Sequence, residues 1–301
     1  TTYSHSYLEN RLMQGWIIYR KNITEISPEA YEINRLIEIS KSEGIDLHVF
    51  KPEQFDLIVT AEDRRSILID GKPMALPDFV LPRMGAGTSY FALAVIRHLE
   101  RLGVHCFNSS HSIETVKDKL FSHQILAQNG LPVPKTMLAK FPLNIEMVKK
   151  NIGFSVIVKT LSGSQGKGVF LSRTEKEFND LTQLIEVTNP NANFILQEFV
   201  ESSFGRDIRV FTIGGRAIAA MERRSSNSDF KANFSSGGTV EQIEITPEIE
   251  WMAAEANRVL GLDISGVDLL YDNDHFKICE VNSSPGFEGL ETCCEIDVPE
   301  E

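Results

Sequence analysis

Apolar and polar positions along this 301-residue chain follow one rhythm up to about residue 107 and another beyond it. Near the start the apolar run Trp16-Ile17-Ile18-Tyr19 reads as a buried strand, and Ser27-Pro28 offers an N-cap followed by proline at the first helical position. Ile33, Leu36 and Ile37 then recur at helical spacing, the helix should stop near Gly44, and Leu47-His48-Val49-Phe50 reads as a second strand. Asp70-Gly71 after Ile67-Leu68-Ile69 predicts a hairpin turn, Phe79-Val80-Leu81 a strand, and residues 89–102 a helix closed by Gly103. Strands alternating with helices imply an open α/β sheet, so residues 13–107 are expected to form an N-terminal α/β domain.

From Ser112 a charged helix is expected through Gln128, stopped by Asn129-Gly130 and followed by Pro132-Val133-Pro134. A strand over 155–159, a glycine-rich loop over 162–168 and a strand over 169–171 come next, and Thr174 with Glu177 forms a capping box opening a helix. Long strands over 208–213 and 217–223 and one helix over 247–260 complete an α+β pattern. It predicts a central subdomain over 108–195 and a C-terminal one over 196–301. Residues 1–12 lack a secretory apolar core and fall outside this pattern; they read as an extension before a natural start at Met13.

Composition narrows the function. With 42% apolar and 24% charged residues the chain is an ordinary globular protein, and no run approaches the ~20 apolar residues that span a bilayer. A net charge of −12 disfavours generic nucleic-acid binding while leaving room for a local nucleotide pocket. Cys106, Cys279, Cys293 and Cys294 form no C-x-x-C spacing and read as reduced thiols of a cytoplasmic protein. The seven histidines include no H-x-x-x-H pair, which gives zinc catalysis little support.

Candidate chemistry lies in three places. Gly163, Gly166 and Gly168, with small polar residues between them, can bring backbone N–H groups against phosphate oxygens, and Lys159 ends the apolar strand just before. A flexible turn is the competing reading of the glycines, but a lysine closing a buried strand is an expensive choice without an anion to meet it. In "GVDLLYDNDHFKICEVNSSPGFEG", Glu280 and Asn282 stand two apart on one strand face. A loop over 273–275 sets Asp268 opposite Glu280, an oxygen set suited to Mg²⁺. Strand alternation puts Asp207 and Arg209 on one face and makes Arg223 and Arg224 diverge, so one arginine of each set could clamp a carboxylate or phosphoryl group; surface salt bridges are the alternative. Lys231, Asn233 and Gly237-Gly238 read as an adaptable loop that could close over substrate.

These residues closely resemble the ATP-grasp superfamily and, within it, the RimK-like α-L-glutamate ligases. The resemblance spans residues 80–297 and rests on "LPRMGAG", "DKLFSHQILAQNGLPVP", "VIVKTLSGSQGKGV", "QEFVESSFGRDIRV", "ERRSSNSDFKANFSSGG", "GVDLLY" and "EVNSSPGFEGLE". It implies a fold of three α/β or α+β domains with ATP held between the central and C-terminal ones. By motif match, Lys119 and Lys159 would contact the ATP phosphates, covered by the loop with Ser162, Gly163, Gln165 and Gly166. Gln197, Glu198, Phe199 and Val200 resemble the adenine-reading hinge, Asp207 the ribose-side ligand, and Lys231, Ala232 and Asn233 another nucleotide-proximal segment. Asp268, Glu280 and Asn282 match the magnesium or manganese ligands, with two ions implied; Arg83, Arg209 and Arg223 are substrate-side candidates, and Arg209, Arg223 and Lys231 would assist the chemistry.

The implied reaction moves the γ-phosphoryl group of ATP to a carboxylate, whose acyl phosphate is then attacked by the amine of L-glutamate. The expected acceptor is a protein C-terminus, for instance of a ribosomal protein, or else a small acid such as N-acetylaspartate or a cofactor. A non-catalytic nucleotide-binding regulator is the reading from another class. The resemblance involves no membrane or direct nucleic-acid binding, is compatible with dimeric or ring-like assembly, and would place a further helix after Glu301.

Overall fold

A computed structural model describes residues 11–21, 27, 29–61, 66–161, 168–226, 230–232 and 237–301. The chain divides into two compact units, one built from residues up to 84 with 89–107, the other from 85–88 with 108–299.

The first unit contains β1 (Gln14–Ile18), α1 (Ala30–Ser42), β2 (Asp46–Phe50), β3 (Phe55–Leu57), β4 (Ile67–Ile69), β5 (Lys72–Pro73), β6 (Phe79–Pro82), α2 (Tyr90–Arg101) and β7 (His105–Cys106). Four strands form a parallel sheet in the order β2-β1-β6-β7, and β3, β4 and β5 make a small antiparallel one. Ile17, Tyr19 and Ile33 form the core with Leu36, Ile37, Leu47 and Val49, the apolar positions that the helical and strand periods pick out. The predicted N-cap is displaced. The Ser27 hydroxyl bonds the Tyr19 hydroxyl at 2.6 Å, and α1 starts after Glu29 with no side-chain cap. Asp70 and Gly71 take φ of 50° and 72°, the positive pair that a tight hairpin of this type demands.

The second unit opens with α3 (Ser110–Lys117) and α4 (Lys119–Gln128) where one helix was expected. Asp118 breaks it: its backbone is extended, and its Oδ1 accepts from the Leu120 and Phe121 amides, each at 3.0 Å, so it caps a new helix. Lys119 therefore begins α4, and His123 lies one turn along the same face.

Next come β8 (Thr136–Ala139), α5 (Ile145–Asn151), β9 (Val156–Thr160), β10 (Val169–Ser172), α6 (Glu175–Thr188) and β11 (Phe194–Glu198). Their antiparallel sheet, in the order β10-β9-β11-β8, packs Val156, Val158, Phe194 and Leu196 against Val148 and Phe178. The remaining elements are β12 (Arg206–Ile213), β13 (Arg216–Arg224), β14 (Thr239–Gln242), α7 (Pro247–Leu260), β15 (Ile264–Asp272), β16 (His275–Asn282) and α8 (Glu288–Cys293). The strands form a five-stranded antiparallel sheet in the order β14-β13-β12-β15-β16. Ile208, Val210, Val267, Leu269 and Ile278 face Met252, Ala253 and Ala256 of α7 in one core. Alternation turns Asp207, Arg209 and Asp268 to the opposite face. Among the described residues no helix is long and apolar enough to cross a membrane.

Candidate active site

The second unit's five-stranded sheet sets a row of charges across four strands. Register places Asp207 of β12 opposite Arg223 of β13, Arg209 of β12 opposite Asp268 of β15, and Asp268 opposite Glu280 of β16. Both contacts between facing arginine and aspartate are bidentate: Arg223 donates to Asp207 at 2.7 and 2.8 Å, and Arg209 to Asp268 at 2.7 and 2.7 Å. Arg223 Nη2 also lies 3.1 Å from Asp268 Oδ2, which closes the quartet.

Burial pushes the Asp207 carboxyl above its ordinary value, and Arg223 offsets only part of that. At Asp268 burial is again the largest influence, but the pull of Arg209 and Arg223 together overrides it and holds the carboxyl below the usual range. The Arg223 guanidinium, although buried, is held more firmly protonated by Asp207 and Asp268.

Room for the Arg209 stem depends on Gly266, two residues before Asp268. A Cβ there would stand 2.7 Å from Pro285 Cβ and 3.4 Å from Arg209 Cδ. Gly266→Ala is expected to cost about 1–3 kcal/mol as overpacking, read as a lowered denaturation midpoint; an unchanged midpoint would mean that the Pro285 segment gives way freely.

A register shift follows Asp268. Asp268 pairs with Glu280, but the next residue, Leu269, pairs with Ile278, so Cys279 is an extra residue in β16. Two residues opposing one in a bulge can both turn to the same face. Cys279 thereby reaches Lys159 of β9, with Sγ 3.8 Å from Nζ, and burial raises its thiol pKa. No hydrogen bond or ion pair joins the Glu280 side chain to another described residue, although its backbone belongs to the β15–β16 ladder. Asn282 turns its amide nitrogen to Asp268 at 3.5 Å, leaving its oxygen without a described partner.

This donor set fits a divalent cation. Glu280 and Asn282 offer hard oxygens, and Asp268, anchored by two arginines, closes the row behind them. Among the described residues no group of three or more His, Cys, Asp or Glu is arranged to hold a metal by itself; magnesium takes one or two carboxylates and completes its shell with phosphate oxygens.

On the other sheet Lys159 donates to Gln197 Oε1 at 2.6 Å, and the Gln197 amide nitrogen lies 2.9 Å from Thr136 Oγ1 and 3.3 Å from His123 Nε2. Glu198 accepts from Lys277 at 2.6 Å and from the Lys135 amide at 3.0 Å. A recess of about 170 Å³ beside it is lined by Glu198, Phe199, Val200, Asp272 and Lys277 among others. Lys231 lies over the Phe230 ring at 5.3 Å, with Ala232 next in the chain, and the Phe230 carbonyl accepts from Gly205, two residues from Asp207. Lys119 occupies the first turn of α4. Ser162, Gly163, Gln165, Gly166 and Asn233 lie outside the described residues.

Arg83 belongs to the first unit, just after β6, where burial lowers its pKa against the opposing pull of Glu32 and Glu29. The second unit brings together Lys159, Gln197, Asp207, Arg209, Arg223, Asp268, Glu280 and Asn282 on facing or adjoining strands. Sequence reasoning missed His123, Thr136, Lys277 and Cys279. His123 alone left a trace, standing four residues after Lys119 on one helical face.

Residues 116–301 match the RimK-like ATP-grasp domain, and residues 22–113 the RimK PreATP-grasp domain. The chain belongs to the RimK-like ATP-grasp family. It is therefore an ATP-dependent carbon–nitrogen ligase. A "Probable alpha-L-glutamate ligase" of Marinomonas sp. (strain MWYL1) is 37% identical over 273 residues, 90% of each chain. One of the same name from Trichodesmium erythraeum (strain IMS101) is 34% identical over 277 residues, 92% of each. Among solved structures, the ATP-grasp ligase PsnB complexed with minimal precursor superposes with TM-score 0.72 at 22% identity, covering 96% of both chains. D-alanine–D-alanine ligase from Bacillus anthracis follows at 0.66 and 18%, covering 92% of this chain and 89% of that one. At such identities the RimK-like ATP-grasp chain shares the fold of these two, the ATP-grasp fold.

Proposed function

We propose that this ligase activates a carboxylate acceptor with ATP and joins L-glutamate to it, releasing ADP and phosphate. The observation that carries the reading is the row Arg223–Asp207–Arg209–Asp268–Glu280 facing Lys159, which sets fixed cations beside an oxygen donor set. Glutamate as the added residue is supported by relatives named alpha-L-glutamate ligase, and a peptide acceptor by PsnB, whose structures hold a precursor peptide.

In this reading Lys119 and Lys159 meet the ATP phosphates beneath the segment that carries Ser162, Gly163, Gln165 and Gly166. The hinge from Gln197 to Val200 meets adenine, and Asp207 stands toward the ribose. Arg209 and Arg223, pre-oriented by their carboxylates, would present their remaining N–H groups to the oxygens that gain charge as the phosphoryl group moves. Lys231 assists the same charge, Asn233 and Ala232 line the nucleotide, and Arg83 is a substrate-side cation. Asp268, Glu280 and Asn282 would hold magnesium or manganese, as one ion or a pair. Bound there, the metal would neutralise charge between the phosphates and polarise the phosphoryl oxygens. No protein nucleophile is needed, because the acyl phosphate already carries the leaving group. A cytoplasmic setting, where ATP is made and spent, belongs to the same reading.

Phosphate release from Mg-ATP with L-glutamate should rise on adding a peptide with a free C-terminal carboxylate, and the peptide should gain the mass of glutamate residues. Gain on a small acid in place of the peptide would move the acceptor to metabolites. No acceptor-dependent release would overturn ligation and leave a nucleotide-binding regulator.

A further inference from the structure

A buried chain of hydrogen bonds behind Lys159 has its polarity set from both ends. At one end the Lys119 carbonyl can only accept, and His123 Nδ1 lies 2.8 Å from it, so Nδ1 carries the proton. At the other end the Lys159 ammonium can only donate, and it lies 2.6 Å from Gln197 Oε1, so the amide oxygen faces the lysine. The amide nitrogen must then point away from Lys159, toward Thr136 Oγ1 at 2.9 Å and His123 Nε2 at 3.3 Å. A neutral imidazole protonated at Nδ1 offers a lone pair at Nε2, which is what the amide N–H needs. Every link agrees in direction, and the amide orientation follows from the donors and acceptors themselves.

The surroundings favour that protonation state. His123 and Gln197 are both buried, and burial, followed by the nearby Lys159 charge, holds the imidazole pKa down at about 4. A protonated ring would donate from Nε2, the amide would have to turn over, and its NH₂ would then meet the Lys159 ammonium donor to donor. A neutral amide oxygen also anchors Lys159 without neutralising its charge, and an ammonium has three N–H groups of which Gln197 takes one.

We propose that His123 is a positioning residue of the ATP site: as the Nδ1–H tautomer it fixes the Gln197 amide oxygen toward Lys159 and so presents the Lys159 ammonium to the nucleotide phosphates. This rests on the proposed phosphate-binding role of Lys159.

Two measurements test it. In the unmodified protein at neutral pH, long-range proton–nitrogen correlation of the His123 ring, assigned through its contacts with Thr136 and Gln197, should give the Nδ1–H form; an Nε2–H form or an imidazolium overturns the proposal. ATP affinity is then read calorimetrically in a cycle of His123→Phe, Lys159→Met and the double variant. His123→Phe should weaken ATP about tenfold and lose most of that effect in the Lys159→Met background, since residues in one network are non-additive. Full additivity would overturn the relay while leaving Lys159 at the phosphates. Unchanged ATP affinity in Lys159→Met alone would remove the phosphate role of Lys159 and the relay with it.

Discussion

Glu280→Ala is expected to lower ligase turnover on the order of a thousandfold, about 4 kcal/mol of transition-state stabilisation, while leaving the folded protein as stable as the parent or slightly more so. The two effects have opposite signs because of where the carboxylate stands. Glu280 pairs in register with Asp268 yet its side chain makes no hydrogen bond or ion pair with another described residue, so folding sets two carboxylates side by side with only one of them answered by arginine. Deleting the unanswered one relieves repulsion in the free protein and removes a principal oxygen donor from the proposed cation site. Initial rates with saturating Mg-ATP and acceptor, set beside chemical denaturation of the same samples, check both halves. Turnover within about tenfold of the parent would remove Glu280 from the metal set.

Asp268→Ala does not offer the same test, although the two residues look alike in the sequence. Asp268 answers Arg209 and Arg223 at once, so its loss would strip the half-buried Arg209 of its bidentate partner, leave the buried Arg223 with Asp207 alone, and confuse activity with folding. That difference between neighbouring carboxylates was not legible from residue types. Strand alternation put Asp207 and Arg209 on one face, because a period of two survives any tertiary context that buries one side of a sheet. Asp268 was expected opposite Glu280 from a loop over 273–275, but His275 belongs to β16 and pairs with Asp272, and the extra residue Cys279 is what brings Asp268 and Glu280 into register. Which arginine takes which carboxylate depends on strand order, since β13 and β15 flank β12 on opposite sides. The sequence carries no period for strand order.

The same reasoning separates the other successes from the failures. The helix over 247–260 was readable to the residue because Thr246, Pro247 and Gly261 mark both its ends by local chemistry, the last with φ of 68°. The break at Asp118 was missed because an aspartate inside a charged helical run looks like any solvated position until its carboxylate turns back onto two amides. The bulge at Cys279 was missed for a related reason: an extra residue shifts the strand period without leaving a glycine or proline to announce it. Both misses bear on the site, one by starting α4 at Lys119 and the other by turning a thiol toward Lys159.

Arg223→Met should be the most destabilising substitution in the charged row, by about 3–5 kcal/mol at neutral pH, because it leaves the buried Asp268 and the half-buried Asp207 short of a partner. Arg223 is only 7% exposed, and it binds both oxygens of Asp207 as well as one of Asp268. The deficit should depend on pH with a definite sign. In the parent, Asp268 is held below its ordinary value by its arginines, so its contribution is present above the unfolded-state pKa and is lost as pH falls. In the variant both carboxyls rise, Asp207 from a value that burial has already raised. A carboxyl whose folded pKa exceeds the unfolded one destabilises at high pH and is relieved as it takes up a proton. Falling pH relieves the variant as its raised carboxyls take up protons, and it weakens the parent only below the ordinary Asp value of about 4, so the two stabilities should converge as pH falls from neutrality through that range. Denaturant unfolding of both proteins across that range measures the gap directly. A gap that stays constant, or one below about 1 kcal/mol throughout, would mean that water reaches the row and screens it, in which case the arginines are held too loosely to be pre-oriented for phosphoryl transfer.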